Sequence, residues 1–134
     1  MSGIKTAQQM VDEANAVVKS IDVKDAHALL DDESVLFVDI RDIRELWREG
    51  TIPGAMSAPR GMLEFWIDPD CKYHRKEFSD GRTLVLFCAS AWRSALATKV
   101  LQDMGFKHIS HLTGGFSAWK DAQNPVEKVE QRRK

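Results

Sequence analysis

Short, unbroken apolar runs alternate with helix-patterned segments along this chain. Val35-Leu36-Phe37-Val38-Asp39 and Thr83-Leu84-Val85-Leu86-Phe87-Cys88 carry no polar residue in their interiors. Strands with no wet side belong in a sheet covered on both faces, which is the setting of parallel strands. Each run is followed by a helical pattern. After the first, Ile43, Leu46 and Trp47 mark one face, and Gly50 stands where the helix stops. After the second, the spacing predicts a helix from Ser94 to Met104, with Leu96, Val100, Leu101 and Met104 on one side and Gly105 as its stop. Ala55 to Ala58 and His108 to Leu112 are expected strands, and Gly114-Gly115 turns into a short helix holding Phe116 and Trp119. Alternating β and α elements predict an α/β fold: a mostly parallel sheet with helices on both faces.

The chain has 134 residues, enough for one domain with a substantial core. Nineteen Lys and Arg balance twenty Asp and Glu, for a formal charge of −1. That balance argues against nucleic-acid or acidic-membrane partners, which need a basic field. Two cysteines make no disulfide scaffold and suit a reducing compartment. No apolar run approaches the roughly 20 residues that span a bilayer, and Asp12, Glu13 and Asn15 interrupt any signal-peptide core. A cytoplasmic protein is expected.

Residues 1–20 read as a helical extension. Met10, Val11, Ala14, Val17, Val18 and Ile21 recur at helical spacing. This stripe is expected to pack on its own domain, a homodimer through the same face being the alternative, and to lie away from any chemistry. Val23 to Leu30 is a second short helix. Residues 21–124 form the domain proper, and residues 125–134 a charged, frayed tail.

Ligands of open parallel sheets bind beyond the carboxyl ends of the strands. One such end holds Cys88-Ala89-Ser90-Ala91-Trp92-Arg93-Ser94, between a buried strand and a helix. Backbone N–H groups of a curled loop, the helix dipole and the Arg93 charge all favour thiolate over thiol there. Cys88 is therefore the candidate nucleophile. Ala89, Ser90, Ala91, Trp92 and Arg93 are the candidate anion cradle.

This loop resembles the active-site loop of the rhodanese-like sulfurtransferases. Val38-Asp39-Ile40-Arg41 with Glu45, Gly50-Thr51-Ile52-Pro53-Gly54-Ala55, and Gly114-Gly115-Phe116-Ser117-Ala118-Trp119 resemble three further family segments, in the same order. The resemblance runs from about Ile21 to Trp119. It implies a rhodanese-like fold around a five-stranded, mostly parallel sheet. It also implies transfer of a sulfane sulfur from thiosulfate or a related small donor, through a Cys88 persulfide, to cyanide or a thiol, with no metal or organic cofactor. A non-catalytic interaction module of the same fold is the second reading. A phosphatase-like or arsenate-reducing enzyme is the third; the resemblance disfavours it because those enzymes space Cys and Arg one residue further apart than Cys88-x4-Arg93. The sequence departs from the family at Ala91, where Gly is common and alanine would either strain the loop at positive φ or reshape it, and at Thr51, where His is usual.

Two further strand-end residues are candidates for the anion site: Asp39, as an electrostatic partner, and Arg60, recruiting an anionic donor. Met62, Phe65 and Trp66 either wall the same pocket or form a core-facing helix side. Arg41 is expected to pair with Glu45 along the helix, an electrostatic pair with Asp39 in the pocket being the alternative. Cys71 either resolves an oxidised Cys88 or is an incidental loop thiol. Cys71-x2-His74 with His108-x2-His111 has zinc-like spacing, but a strand would turn His108 and His111 to opposite faces, so no metal site is expected.

Overall fold

The computed structural model describes residues 3–131. In chain order the elements are α1 (Ala7–Val17), β1 (Ser20–Ile21), α2 (Val23–Ala28), β2 (Val35–Asp39), α3 (Ile43–Glu49), β3 (Met56–Ser57), α4 (Leu63–Ile67), β4 (Thr83–Phe87), α5 (Trp92–Asp103), β5 (Ile109–Leu112) and α6 (Gly115–Asp121). Single 3-10 turns cover Arg60–Met62 and Lys76–Phe78. The strands form one five-stranded sheet in the order β1-β5-β4-β2-β3. Every pairing is parallel. The two unbroken apolar runs, β2 and β4, are neighbours at its centre, in register from Val35 opposite Thr83 to Asp39 opposite Phe87.

Strand alternation divides the core into two layers. Leu36, Val38, Leu84, Leu86, Cys88 and Ile109 face one side, where Leu63 and Ile67 of α4 and Ala97 and Leu101 of α5 cover them. Phe37, Val85, Phe87 and Leu112 face the other, under Ala26 of α2 and Phe116 and Trp119 of α6. Cys88 therefore points to the α5 side.

Three sequence expectations change. First, the helical spacing carries the N-terminal stripe through Ile21, but the helix ends at Val17, and Ser20–Ile21 pairs with His111 and Leu112 as the edge strand β1. A two-residue strand has no pattern of its own; its partner defines it. Val11 and Ala14 pack on Ala95, whereas Met10 and Val17 remain 46% and 54% exposed. Second, α5 starts two residues early, at Trp92, because Ala91 supplies a left-handed entry. Third, the tail expected to fray at residue 125 folds back. Glu127 and Thr51 exchange both backbone hydrogen bonds (2.9 and 2.8 Å), and Trp119 Nε1 donates to the Pro125 carbonyl at 2.7 Å. Residues 132–134 of that tail lie outside the described residues. Among the described residues, no helix is long and apolar enough to cross a membrane.

Candidate functional site

Cys88 follows the last residue of β4, and its side chain is 1% exposed. Ala89, Ser90 and Ala91 carry the chain up to α5. Ala91 holds φ 79° and ψ 1°, the left-handed region that alanine enters at a cost of about 1–2 kcal/mol. That turn aims the Ala91 N–H at Cys88 Sγ, 3.2 Å away. Of the two outcomes open at Ala91, strain at positive φ is the one present, and it makes the loop close over the sulfur. No side chain caps α5, although its first turn faces this loop.

The loop is held from behind by α6. Phe116 N–H donates to the Cys88 carbonyl at 2.8 Å, and Ser117 N–H to the Ala89 carbonyl at 3.1 Å. This approach requires glycine at position 115. With φ 63°, a Cβ there would lie 2.6 Å from both the Cys88 and the Ala89 carbonyl oxygens. The Gly-Gly pair of the sequence thus belongs to the loop's support.

Arg93, in the first turn of α5, forks onto Glu45 of α3 at 2.8 and 3.0 Å. Its side chain is 41% exposed. The Arg93 guanidinium holds the Glu45 carboxyl below the usual carboxylate range. Glu45 in turn raises Arg93, with Cys88 a smaller contributor. The Arg41–Glu45 pair is not formed, and the alternative pair with Asp39 is. Arg41 is fully buried instead, bonded to both Asp39 oxygens (3.0 and 2.8 Å) and to the Gly50 carbonyl (2.7 Å), and stacked 4.3 Å over Phe116. Thr51 Oγ1 donates to Asp39 Oδ2 at 2.7 Å. The Asp39 carboxylate is thereby satisfied by Arg41 and Thr51, in an internal ion pair that ties β2 to the turn after α3.

Arg60 pairs with Glu64 at 2.8 Å and lines a groove of about 330 Å³ with Lys5, Met10, Glu13 and Leu96. Trp92 stands outward, 49% exposed. In α4, Leu63 and Ile67 face the core, Phe65 is 50% exposed, and Trp66 lies 4.7 Å under the Arg75 guanidinium. Cys71 accepts from the Tyr73 N–H in the segment between α4 and β4. Its neighbour His74 bonds Ser79, and His108 lines a second cavity with Ile67, Phe78 and Leu84. Among the described residues, no three His, Cys, Asp or Glu side chains gather as a metal site.

Sequence reasoning missed one neighbour of Cys88. The Cys88 thiol donates to Ser94 Oγ at 3.6 Å, and Ser94 Oγ lies 2.9 Å from His111 Nδ1. His111 Nε2 lies 3.1 Å from Asn15 Oδ1 of α1. A signal existed: His111 shares the buried face of β5 with Ile109, so its imidazole has to find partners inside.

The Rhodanese-like domain model matches residues 22–122. The chain belongs to the rhodanese-like domain family. Within that family it is 30% identical to thiosulfate sulfurtransferase GlpE from Pseudoalteromonas translucida, over 84% of this chain and 96% of that protein. A solved structure from Rhodopseudomonas palustris, described as a protein of unknown function and possible tyrosine phosphatase, superposes on this rhodanese-like domain with a TM-score of 0.90. It shares 46% identity, over 95% of this chain and 98% of that one. Thiosulfate sulfurtransferase from Pseudomonas aeruginosa matches 95% of this chain with 23% of its own, at 27% identity and a TM-score of 0.75. The α1 helix that carries Asn15 precedes the matched residues of the rhodanese-like domain.

Proposed function

We propose that the protein is a sulfurtransferase in which Cys88 carries the migrating sulfur. One observation bears most of the weight: a buried thiol at the carboxyl end of β4 accepts the Ala91 N–H at 3.2 Å, at the mouth of an uncapped helix. The Cys88 thiolate attacks the outer sulfur of thiosulfate or a similar donor. The new S–S bond forms as the old one breaks, and sulfite leaves with the electron pair. The persulfide anion then lies among the loop amides from Ala89 to Arg93 and the first turn of α5, which stabilise it electrostatically. A nucleophilic acceptor, cyanide or a thiolate, takes the outer sulfur and restores the Cys88 thiolate. Arg93 supplies positive charge from the rim, steadied by Glu45. Ala89, Ser90, Ala91 and Trp92 shape the cradle. Asp39 is left out of this assignment because Arg41 and Thr51 satisfy it, and Arg60 because it faces the groove beside α1.

The test is intact mass spectrometry after exposure to thiosulfate. The chain should gain the mass of one sulfur atom, located at Cys88, and Cys88→Ser should abolish both that gain and thiosulfate:cyanide transfer. A gain confined to Cys71, or full turnover in Cys88→Ser, overturns the proposal.

The Rhodopseudomonas palustris relative favours a second reading, a phosphatase. Here the loop from Cys88 to Arg93 is short, and Cys88 is 1% exposed, which suits one sulfur atom better than a tetrahedral phosphoryl group. Cys88-dependent hydrolysis of para-nitrophenyl phosphate, without sulfur uptake from thiosulfate, would establish that reading instead.

A further inference from the structure

We propose that His111, oriented by Asn15 and reaching Cys88 through Ser94, is the internal acceptor of the Cys88 proton. The inference deepens the sulfurtransferase reading and rests on it for its biological meaning. Its chemistry concerns only the ionisation of Cys88.

Four side chains stand in a line: Cys88 Sγ, Ser94 Oγ, His111, Asn15 Oδ1, at 3.6, 2.9 and 3.1 Å. Each has one role in the sequence of donors. The amide oxygen of Asn15 only accepts, so Nε2 of His111 carries the ring proton. Nδ1 is then a free lone pair and accepts the Ser94 hydroxyl. Ser94 Oγ in turn has a lone pair for the Cys88 S–H. Deprotonation follows the line in one concerted shift. The Cys88 S–H proton passes to Ser94 Oγ as the Ser94 proton passes to His111 Nδ1. The products are a thiolate that accepts a hydrogen bond from the Ser94 hydroxyl, and an imidazolium that donates from both nitrogens. No proton enters or leaves the protein, and no oxidant or metal takes part.

The surroundings suit this role. Ser94 and His111 are buried, at 0% and 2% exposure. Burial holds the His111 imidazole below its ordinary value of 6.5, which keeps Nδ1 unprotonated at neutral pH but opposes the imidazolium, so the hydrogen bonds with Ser94 and Asn15 have to offset that cost. Facing the ring are Ser94 from α5 and Asn15 from α1. On the sheet, His111 is registered against Ser20 of β1 and Leu86 of β4, and its backbone N–H goes to the Lys19 carbonyl. The ring is therefore neutral toward solvent near neutral pH. Near neutral pH a proton taken from Cys88 charges the ring together with a thiolate, so the buried site gains a pair of charges rather than a single one. Cys88 carries the reacting sulfur, Ser94 and His111 take its proton, and Asn15 is a positioning residue that acts through the His111 ring.

The experiment measures the rate of Cys88 alkylation by iodoacetamide against pH, in the full chain carrying Cys71→Ser, with circular dichroism checking the fold. Asn15→Asp is the decisive variant because Asn15 is exposed and its change leaves the core intact. A carboxylate on Nε2–H strengthens the ring as a base, so the profile should move to lower pH, with about threefold faster alkylation on its acid side. His111→Asn should slow alkylation at neutral pH by about tenfold, equivalent to one unit on the pH axis. In a Ser94→Ala background Asn15→Asp should have no effect, since the line is cut. Superimposable profiles for Asn15→Asp and the parent overturn the proposal. So does a shift that survives Ser94→Ala, because it would come through space rather than through the hydroxyl. Alkylation needs no sulfur donor, so the two readings fail separately. Shifted profiles without sulfur uptake from thiosulfate retire the sulfurtransferase and keep the relay. Sulfur uptake with unmoved profiles does the reverse.

Discussion

Ala91 is where a single side chain sets the geometry of the whole loop. Its φ of 79° puts the N–H on Cys88 Sγ and opens α5, yet a Cβ at that angle meets the following carbonyl. Ala91→Gly removes the clash and adds chain entropy to the unfolded state, two effects of opposite sign. The net expectation is a gain of about 0.5–1 kcal/mol, a few degrees in melting temperature, with sulfur transfer held or raised. Calorimetry and a thiosulfate:cyanide assay check it, and a fall in transfer with an intact fold would mean that the alanine methyl itself shapes the cradle. The departure at Thr51 is explained at the same scale. Its hydroxyl completes the shell of Asp39, so the substitution serves the buried Asp39–Arg41 pair rather than the loop.

Among the elements, α6 is the one that keeps the loop in place. Gly115→Ala would place a methyl 2.6 Å from two carbonyl oxygens, so the backbone of Cys88 or of α6 must move. A loss of about 2–3 kcal/mol is expected, together with at least roughly tenfold slower Cys88 alkylation. Unchanged melting and unchanged alkylation would show that α6 does not support the loop. This element also shows what a sequence can disclose. The β4 run, the Cys88 loop and the Gly-Gly turn were legible because local residues determine each: an apolar interior, a positive φ, a close approach. β1 was not, because Ser20–Ile21 is a strand only through β5. The fold-back of residues 125–127 was not, because its partner, Thr51, lies far away in sequence. Arg93 was legible as a charge beside Cys88, but not its fork onto Glu45, since Arg41 stood closer in sequence to the same carboxylate. The extension α1, expected to stand apart from Cys88, reaches it through Asn15 and His111, a contact that exists only once β5 and α5 are side by side.

For the whole molecule, burial of His111 links stability to pH. Its folded-state value is depressed, so between that value and the unfolded 6.5 the unfolded chain binds a proton that the folded chain refuses. Stability is therefore full above 6.5, falls as pH drops below it, and levels off once the folded value is passed. Melting temperatures collected from neutral to mildly acidic pH should show this decline. The His111→Asn variant should show a shallower slope over the same range, whatever its absolute stability. Parallel slopes in the two proteins would place the acid sensitivity elsewhere.

The bridge between Thr51 and Glu127 has a meaning for synthesis. As the chain leaves the ribosome, α3 and its turn emerge early, with Gly50 at φ 80° and no Cβ to obstruct Val126 and Glu127, which approach within 2.7 Å of where one would be. The Thr51 backbone and the Trp119 indole N–H stay without these partners until residues 125–127 arrive. A nascent chain that has emerged only to residue 122 has every strand of the sheet but an unlatched seam along α6. Those few residues after the matched domain supply the last partners of the Thr51 backbone and the Trp119 indole, so a chain ending at residue 122 should melt at a lower temperature than one that reaches Glu127.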